Sequence, residues 1–146
     1  MVQIELSNDF GYVILTGLSS AVLLTYLGFK VGHARRRAGV PYPHAYATKE
    51  ECEKDNDKMV FNCHQRAHQN TLEFYPGFLF TLVTAGIKHP ILASVGGGIW
   101  ILGRLVYAWG YYTGEPKKRT RGAFGYIGSI ILLGASVSSA VSLLYN

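Results

Sequence analysis

Apolar residues gather along this chain in four blocks, set apart by charged stretches. Residues 12–29 carry no charge. Residues 74–87 end at Lys88 and His89. Residues 91–112 are interrupted only by Arg104, and residues 124–145 are again uncharged. A helix of about 18–22 residues is about 27–33 Å long, the thickness of a bilayer's hydrocarbon core. The second block has only 14 residues, so a spanning helix there must take in the polar turns before it, residues 62–73. The pattern predicts an all-α integral membrane protein, a four-transmembrane-helix bundle. It reads as one domain over residues 1–146, with helices at about 10–36, 57–88, 91–113 and 122–145. Residues 12–29 lack the basic flank of a cleaved signal peptide, since Glu5 and Asp9 precede them with no Lys or Arg, and they are longer than its usual apolar core. They read as a retained anchor.

Pro41, Pro43, Pro90 and Pro116 stand between blocks, where a proline ends a helix. Pro76 falls inside the second predicted helix. A kink there would splay its cytosolic half and open a cavity around Arg66, Asn70 and Glu73. Residues 50–57 form an acidic run, read as a solvated loop leading into the second helix. Gly96, Gly97, Gly98 and Gly103, with Gly128, Gly134, Ala135, Ser138 and Ser139, allow helices to approach closely in a membrane.

The net charge of +5 would suit nucleic acid, but its placement points to a membrane instead. Residues 30–58 hold seven Lys or Arg, and Lys117, Lys118, Arg119 and Arg121 follow the third block; the termini and the short second loop hold only Lys88. This asymmetry puts the first and third loops in the cytosol and both termini opposite. No nucleic-acid partner is expected. Cys52 and Cys63 then lie near the cytosolic side, where thiols stay reduced.

Arg66, Asn70 and Glu73 are spaced i, i+4, i+7, so on a helix they share a face. Each intramembrane ionisable group costs about 2.5–3.5 kcal/mol on insertion scales. Two readings follow: a structural ion pair among Arg66, Glu73 and Arg104, or a site for a charged ligand. Arg104, Tyr107 and Tyr111 form a matching stripe on the third helix, near the same cytosolic end. Trp109 and Tyr112 read as members of an interfacial aromatic belt. Together the stripes suit a small polyanion with an ammonium group. His64 and His68 are half a metal site without a third ligand, so no metal is expected. No phosphate loop or nucleophile elbow is present.

Residues 62–76, Asn-Cys-His-Gln-Arg-Ala-His-Gln-Asn-Thr-Leu-Glu-Phe-Tyr-Pro, and residues 103–116, Gly-Arg-Leu-Val-Tyr-Ala-Trp-Gly-Tyr-Tyr-Thr-Gly-Glu-Pro, resemble the membrane-associated proteins in eicosanoid and glutathione metabolism, the MAPEG family. Within it the chain is most similar to the type 3 microsomal glutathione S-transferases. The resemblance implies a homotrimer in the endoplasmic reticulum membrane, or the mitochondrial outer membrane, with a site facing the cytosol. It implies glutathione as co-substrate, bound between subunits. The second substrate would be a lipophilic electrophile or a lipid hydroperoxide, which implies a transferase with peroxidase activity and leaves leukotriene C synthase-like conjugation open beside it.

The family's ligand positions carry over onto Arg35, Arg66, His68, Asn70, Glu73, Phe74, Tyr107 and Tyr111. Two of these depart from relatives: Phe74 replaces a tyrosine and His68 a glutamine. The thiolate-activating arginine would be Arg119, with Arg121 as the competitor, and Arg36 would help protonate or orient the second substrate. Two alternatives stand beside this: a non-enzymatic lipid-binding scaffold of the same superfamily, and a small channel subunit using the same intramembrane charges.

Overall fold

The computed structural model describes residues 5–145; residues 1–4 and 146, the ends of the expected domain, lie outside the described residues. Helix α1 is Phe10–Ala38, α2 is Lys49–Lys54, α3 is Asn56–Gly86, α4 is Pro90–Tyr112 and α5 is Gly125–Tyr145, with a 3-10 helix, Pro116–Gly122, between the last two. Among the described residues, α1, α4 and α5 are long and apolar enough to cross a membrane. Helix α3 has 31 residues, and so the length. Its first half is too polar to meet the same criterion, because it carries the Arg66, Asn70 and Glu73 stripe.

Local chemistry sets the boundaries. Gly39 ends α1 in the left-handed conformation (φ 62°), where its N–H reaches the Arg35 and Arg36 carbonyls. Arg35, Arg36 and Arg37 fill the last turn, at the negative end of the helix dipole. The acidic run is not a loop. Thr48 and Glu51 form a reciprocal capping box that nucleates α2, and Asp55 then caps α3 by accepting from the Asp57 N–H. The carboxyl of Glu51 is held at about 2, chiefly by its hydrogen bond from Lys58 and then by the Thr48 backbone. Pro90 opens α4, where its missing N–H removes no helical bond.

The core lies in three levels down the bundle. At one end Val13, Phe78, Leu82, Ala93, Trp100 and Leu132 join α1, α3, α4 and α5, with Phe78 stacked on Trp100 at 3.9 Å. Leu23, Leu27, Cys63, Ala67, Ala108 and Tyr111 form the middle level. Val31, Ala34, Ala38, Val40, Ala47 and Phe61 close the end where the α1–α2 connection folds back. The glycines do unequal work. A side chain at Gly103 would run into the Gly125 backbone, and one at Gly96 would press on Ile131 and the Gly128 carbonyl, so α4 and α5 cross at nearly bare backbone. Gly98 and Gly134 meet nothing within 4 Å. Large apolar side chains on the outer faces, among them Leu18, Val22, Phe29, Ile130 and Leu133, remain exposed.

Candidate functional site

On α3, Arg66 grips Glu73 at two points, Nη1 to Oε1 at 2.8 Å and Nη2 to Oε2 at 3.3 Å. Asn70 Nδ2 donates to Oε2 of the same carboxylate at 3.3 Å. The ion pair that the spacing allowed is therefore formed. It stays open, with side chains 42% and 46% exposed, so an incoming ligand can reach both charges. Arg104 does not join it. Arg104 is 6% exposed and bonds only neutral acceptors: Asn70 Oδ1 at 2.7 Å, and Thr71 Oγ1 at 2.9 Å from Nη2 and 3.2 Å from Nε. Asn70 is thus the joint, accepting from Arg104 and donating to Glu73.

The contacts continue across α4. The Arg104 guanidinium lies over the Tyr107 ring at 4.2 Å, Tyr107 meets Tyr111 edge-on at 5.3 Å, and Arg119 lies over Tyr111 at 5.9 Å. An unbroken series therefore runs from Arg66 through Glu73, Asn70, Arg104, Tyr107 and Tyr111 to Arg119. Helix α3 continues through Pro76, and none of Arg66, Asn70 and Glu73 lines the cavity that Arg104 borders. Their face points outward from the bundle. The cavity, about 240 Å³, lies instead beneath Arg104 and is lined by Phe74, Trp100, Tyr107, Arg119, Tyr126 and Ser129 among others.

The remaining sequence candidates divide by location. Phe74 and Arg119 face the cavity, whereas Arg121 is exposed and does not line it. Arg119 donates to the Pro116 carbonyl at 2.7 Å, a neutral acceptor that leaves its charge uncompensated. Arg35 is 7% exposed, held between the rings of Tyr42 and Phe61, and donates to the Val40 and His44 carbonyls. Within this subunit it braces the α1–α2 connection and does not meet the Arg66 series. Arg36 is exposed at the end of α1. His68 turns towards Gly28 of α1, on another face from Arg66. His64 stacks on Tyr112 at 3.8 Å, which corrects the aromatic-belt reading of Tyr112: its hydroxyl is buried and finds no partner. Among the described residues, no three His, Cys, Asp or Glu side chains gather as a metal site.

Gly110 sets where Arg119 sits. A side chain at Gly110 would collide with the Lys118 carbonyl and crowd the Arg119 backbone nitrogen at 2.9 Å. The obstacle is backbone, so it cannot rotate away. Gly110→Ala is expected to displace the 3-10 helix, and Arg119 with it, while the bundle stays folded. Circular dichroism and the structure of the variant check this, and an unmoved 3-10 helix sinks it.

Several residues at this end carry no signal in the sequence. Thr71 sits beside Asn70, and only the facing arginine reveals its use. Tyr46 lies in the α1–α2 connection, where no periodicity exists to place it. Its hydroxyl donates to Gln69 Oε1, within electrostatic reach of Arg66, Glu73 and Tyr111. Burial raises this hydroxyl above the ordinary tyrosine range despite the pull of Arg66, so it stays a donor at neutral pH.

A family model described as the MAPEG family matches residues 13–141. The chain is 36% identical over 128 residues to microsomal glutathione S-transferase 2 of Homo sapiens, covering 84% of this chain and 80% of that protein. It is 32% identical to microsomal glutathione S-transferase 2 of Bos taurus, covering 84% and 81%. It is 34% identical over 138 residues to an uncharacterized protein of Synechocystis, covering 91% and 88%. These two transferases are type 2, where the motifs pointed to type 3 within the same family.

Proposed function

This chain belongs to the MAPEG family and is embedded in the membrane, and from that premise we propose that it is a glutathione transferase with glutathione-dependent peroxidase activity. The observation that carries the reading is the contact series from Arg66 to Arg119, which offers a cation for a carboxylate, an anion for the ammonium and a cation for the thiolate of glutathione. Glutathione has two carboxylates, one ammonium and one thiol. Arg66 takes a carboxylate by a charge-assisted fork, and Glu73 takes the ammonium. Asn70, Tyr107 and Tyr111 supply the neutral polar shell. Arg119 stabilises the thiolate, which is the reactive form. The likeness to proteins named as glutathione transferases supports the same assignment.

The thiolate sulfur attacks an electrophilic carbon and displaces its leaving group, or opens an epoxide whose oxygen then takes a proton. Against a hydroperoxide the sulfur attacks the outer oxygen. The alcohol leaves with a proton, and a second glutathione resolves the sulfenic acid to disulfide and water. The mostly apolar cavity that Arg104 and Arg119 both line would take such a substrate beside the thiolate. In this proposal α3 spans with the other three long helices, and three subunits assemble so that a neighbour covers the half-exposed Arg66–Glu73 pair. A charged pair left facing lipid is costly. The site lies towards the cytosol in an endoplasmic reticulum or mitochondrial outer membrane.

Calorimetry of the detergent-purified protein should show saturable glutathione binding. Turnover of a model aryl halide, an epoxide and a fatty-acid hydroperoxide should depend on glutathione. Absence of saturable binding overturns the transferase and leaves the lipid-binding scaffold.

A further inference from the structure

The connection from Gly39 to Thr48 is pinned at both ends of a short interval. Arg35 donates to the His44 carbonyl at 2.7 Å. Asn62, from α3, clamps the Ala47 backbone twice, accepting its N–H at 2.8 Å and donating to its carbonyl at 2.9 Å. Asn62 also donates to Cys52 Sγ at 3.2 Å, tying α2 to the same point. Tyr46 lies between the two pinned residues, beside Ala47, so its backbone has little freedom. The side chain is directed over α3 onto Gln69, next to Arg66. Tyr46 is 37% exposed within the subunit, so its phenol stays reachable on the same side as the open Arg66–Glu73 pair. An aromatic held this firmly needs little ordering to bind, which favours a contact made with a ligand.

We propose that Tyr46 is a further glutathione-binding residue, its hydroxyl turning from Gln69 to donate to the carboxylate held by Arg66. Arg35 and Asn62 are the residues that position it. This rests on the transferase reading above and extends its site to a loop outside the two helical stripes. A neutral donor bonding an ionised carboxylate contributes about tenfold or more in affinity. The contact is made alike in the ground and transition states, so it acts on KM and leaves kcat alone.

The test compares the full-length protein with Tyr46→Phe, which keeps the ring and removes only the hydroxyl. Glutathione is assayed against its diethyl ester, which lacks both carboxylates, with one aryl halide as second substrate. Tyr46→Phe should raise the glutathione KM about tenfold with kcat within about twofold. The difference between the two proteins should disappear with the ester. Asn62→Ala, which frees the Ala47 backbone, should raise KM in the same direction. No saturable glutathione binding in the unsubstituted protein overturns the transferase reading and this inference together. Saturable binding that Tyr46→Phe leaves unchanged overturns this inference alone. So does a Tyr46→Phe deficit that persists with the ester, or one that falls on kcat.

Discussion

Arg119→Ala is expected to lower glutathione-dependent turnover at pH 7 by about 25-fold, while Arg121→Ala leaves it within about twofold. A free thiol has a pKa of about 8.5, and a neighbouring arginine brings it to about 3.5–7.5. With the bound thiol at about 6.5, about three-quarters is thiolate at pH 7; at about 8.5 only about 3% is. The ratio of those fractions is the expected loss. It should shrink as pH rises, because above about pH 9 both proteins hold mostly thiolate. The pH–rate profile therefore separates thiol activation from damage to the fold, which would lower rates at every pH. The two arginines stand two residues apart, and the sequence favours Arg119 with Arg121 as its competitor. Their places differ: Arg119 lies over Tyr111 and lines the cavity, whereas Arg121 faces outward. A profile unchanged in Arg119→Ala, or a pH-dependent loss in Arg121→Ala, refutes this assignment.

The helical plan was readable because membrane spans and helix stops are local signals. Uncharged runs gave α1 and α5, and Pro90 and Gly39 mark ends that backbone sterics require. The i, i+4, i+7 stripe was readable for the same reason: helical spacing alone put Arg66, Asn70 and Glu73 together. What failed depended on contacts between elements. The cavity lined by Trp100, Arg104 and Tyr126 had no signal in the sequence, because it follows the packing of α4 against α5. Composition made residues 50–57 look like a solvated loop, although Thr48 and Glu51 at capping-box spacing signal a helix start. The bonds from Arg35 to the Val40 and His44 carbonyls had no signal in the sequence, because they form only where the chain folds back after α1. Tyr46 and Thr71 carry no periodic signal. Their neighbours come from α3 and α4 and are known only once the helices are docked.

Arg104→Leu is expected to raise the glutathione KM about 10–100-fold while costing only about 1–2 kcal/mol of stability. The two effects separate because Arg104 serves two bonds of different consequence. Its links to Thr71 tie α4 to α3, and interhelical hydrogen bonds in membranes average about 0.6 kcal/mol. Thr71 keeps its bond to the Ala67 carbonyl when Arg104 is gone. The link to Asn70 matters more. With Oδ1 held by Arg104 at 2.7 Å, the amide nitrogen has to face Glu73. Without that anchor the amide can rotate, and Glu73 loses the donor that fixes it for the ligand ammonium. The buried positive charge also disappears from beside a dianionic ligand. Arg104→Lys should recover only part of the loss, because an ammonium cannot reproduce the planar fork to Asn70 and Thr71 or its stacking on Tyr107. Thr71→Val, which removes the structural acceptor and leaves the Asn70 bond, should change KM by less than about threefold. If Arg104→Leu melts far below the unsubstituted protein but binds glutathione normally wherever it is folded, Arg104 is a brace between helices and Asn70 orients itself.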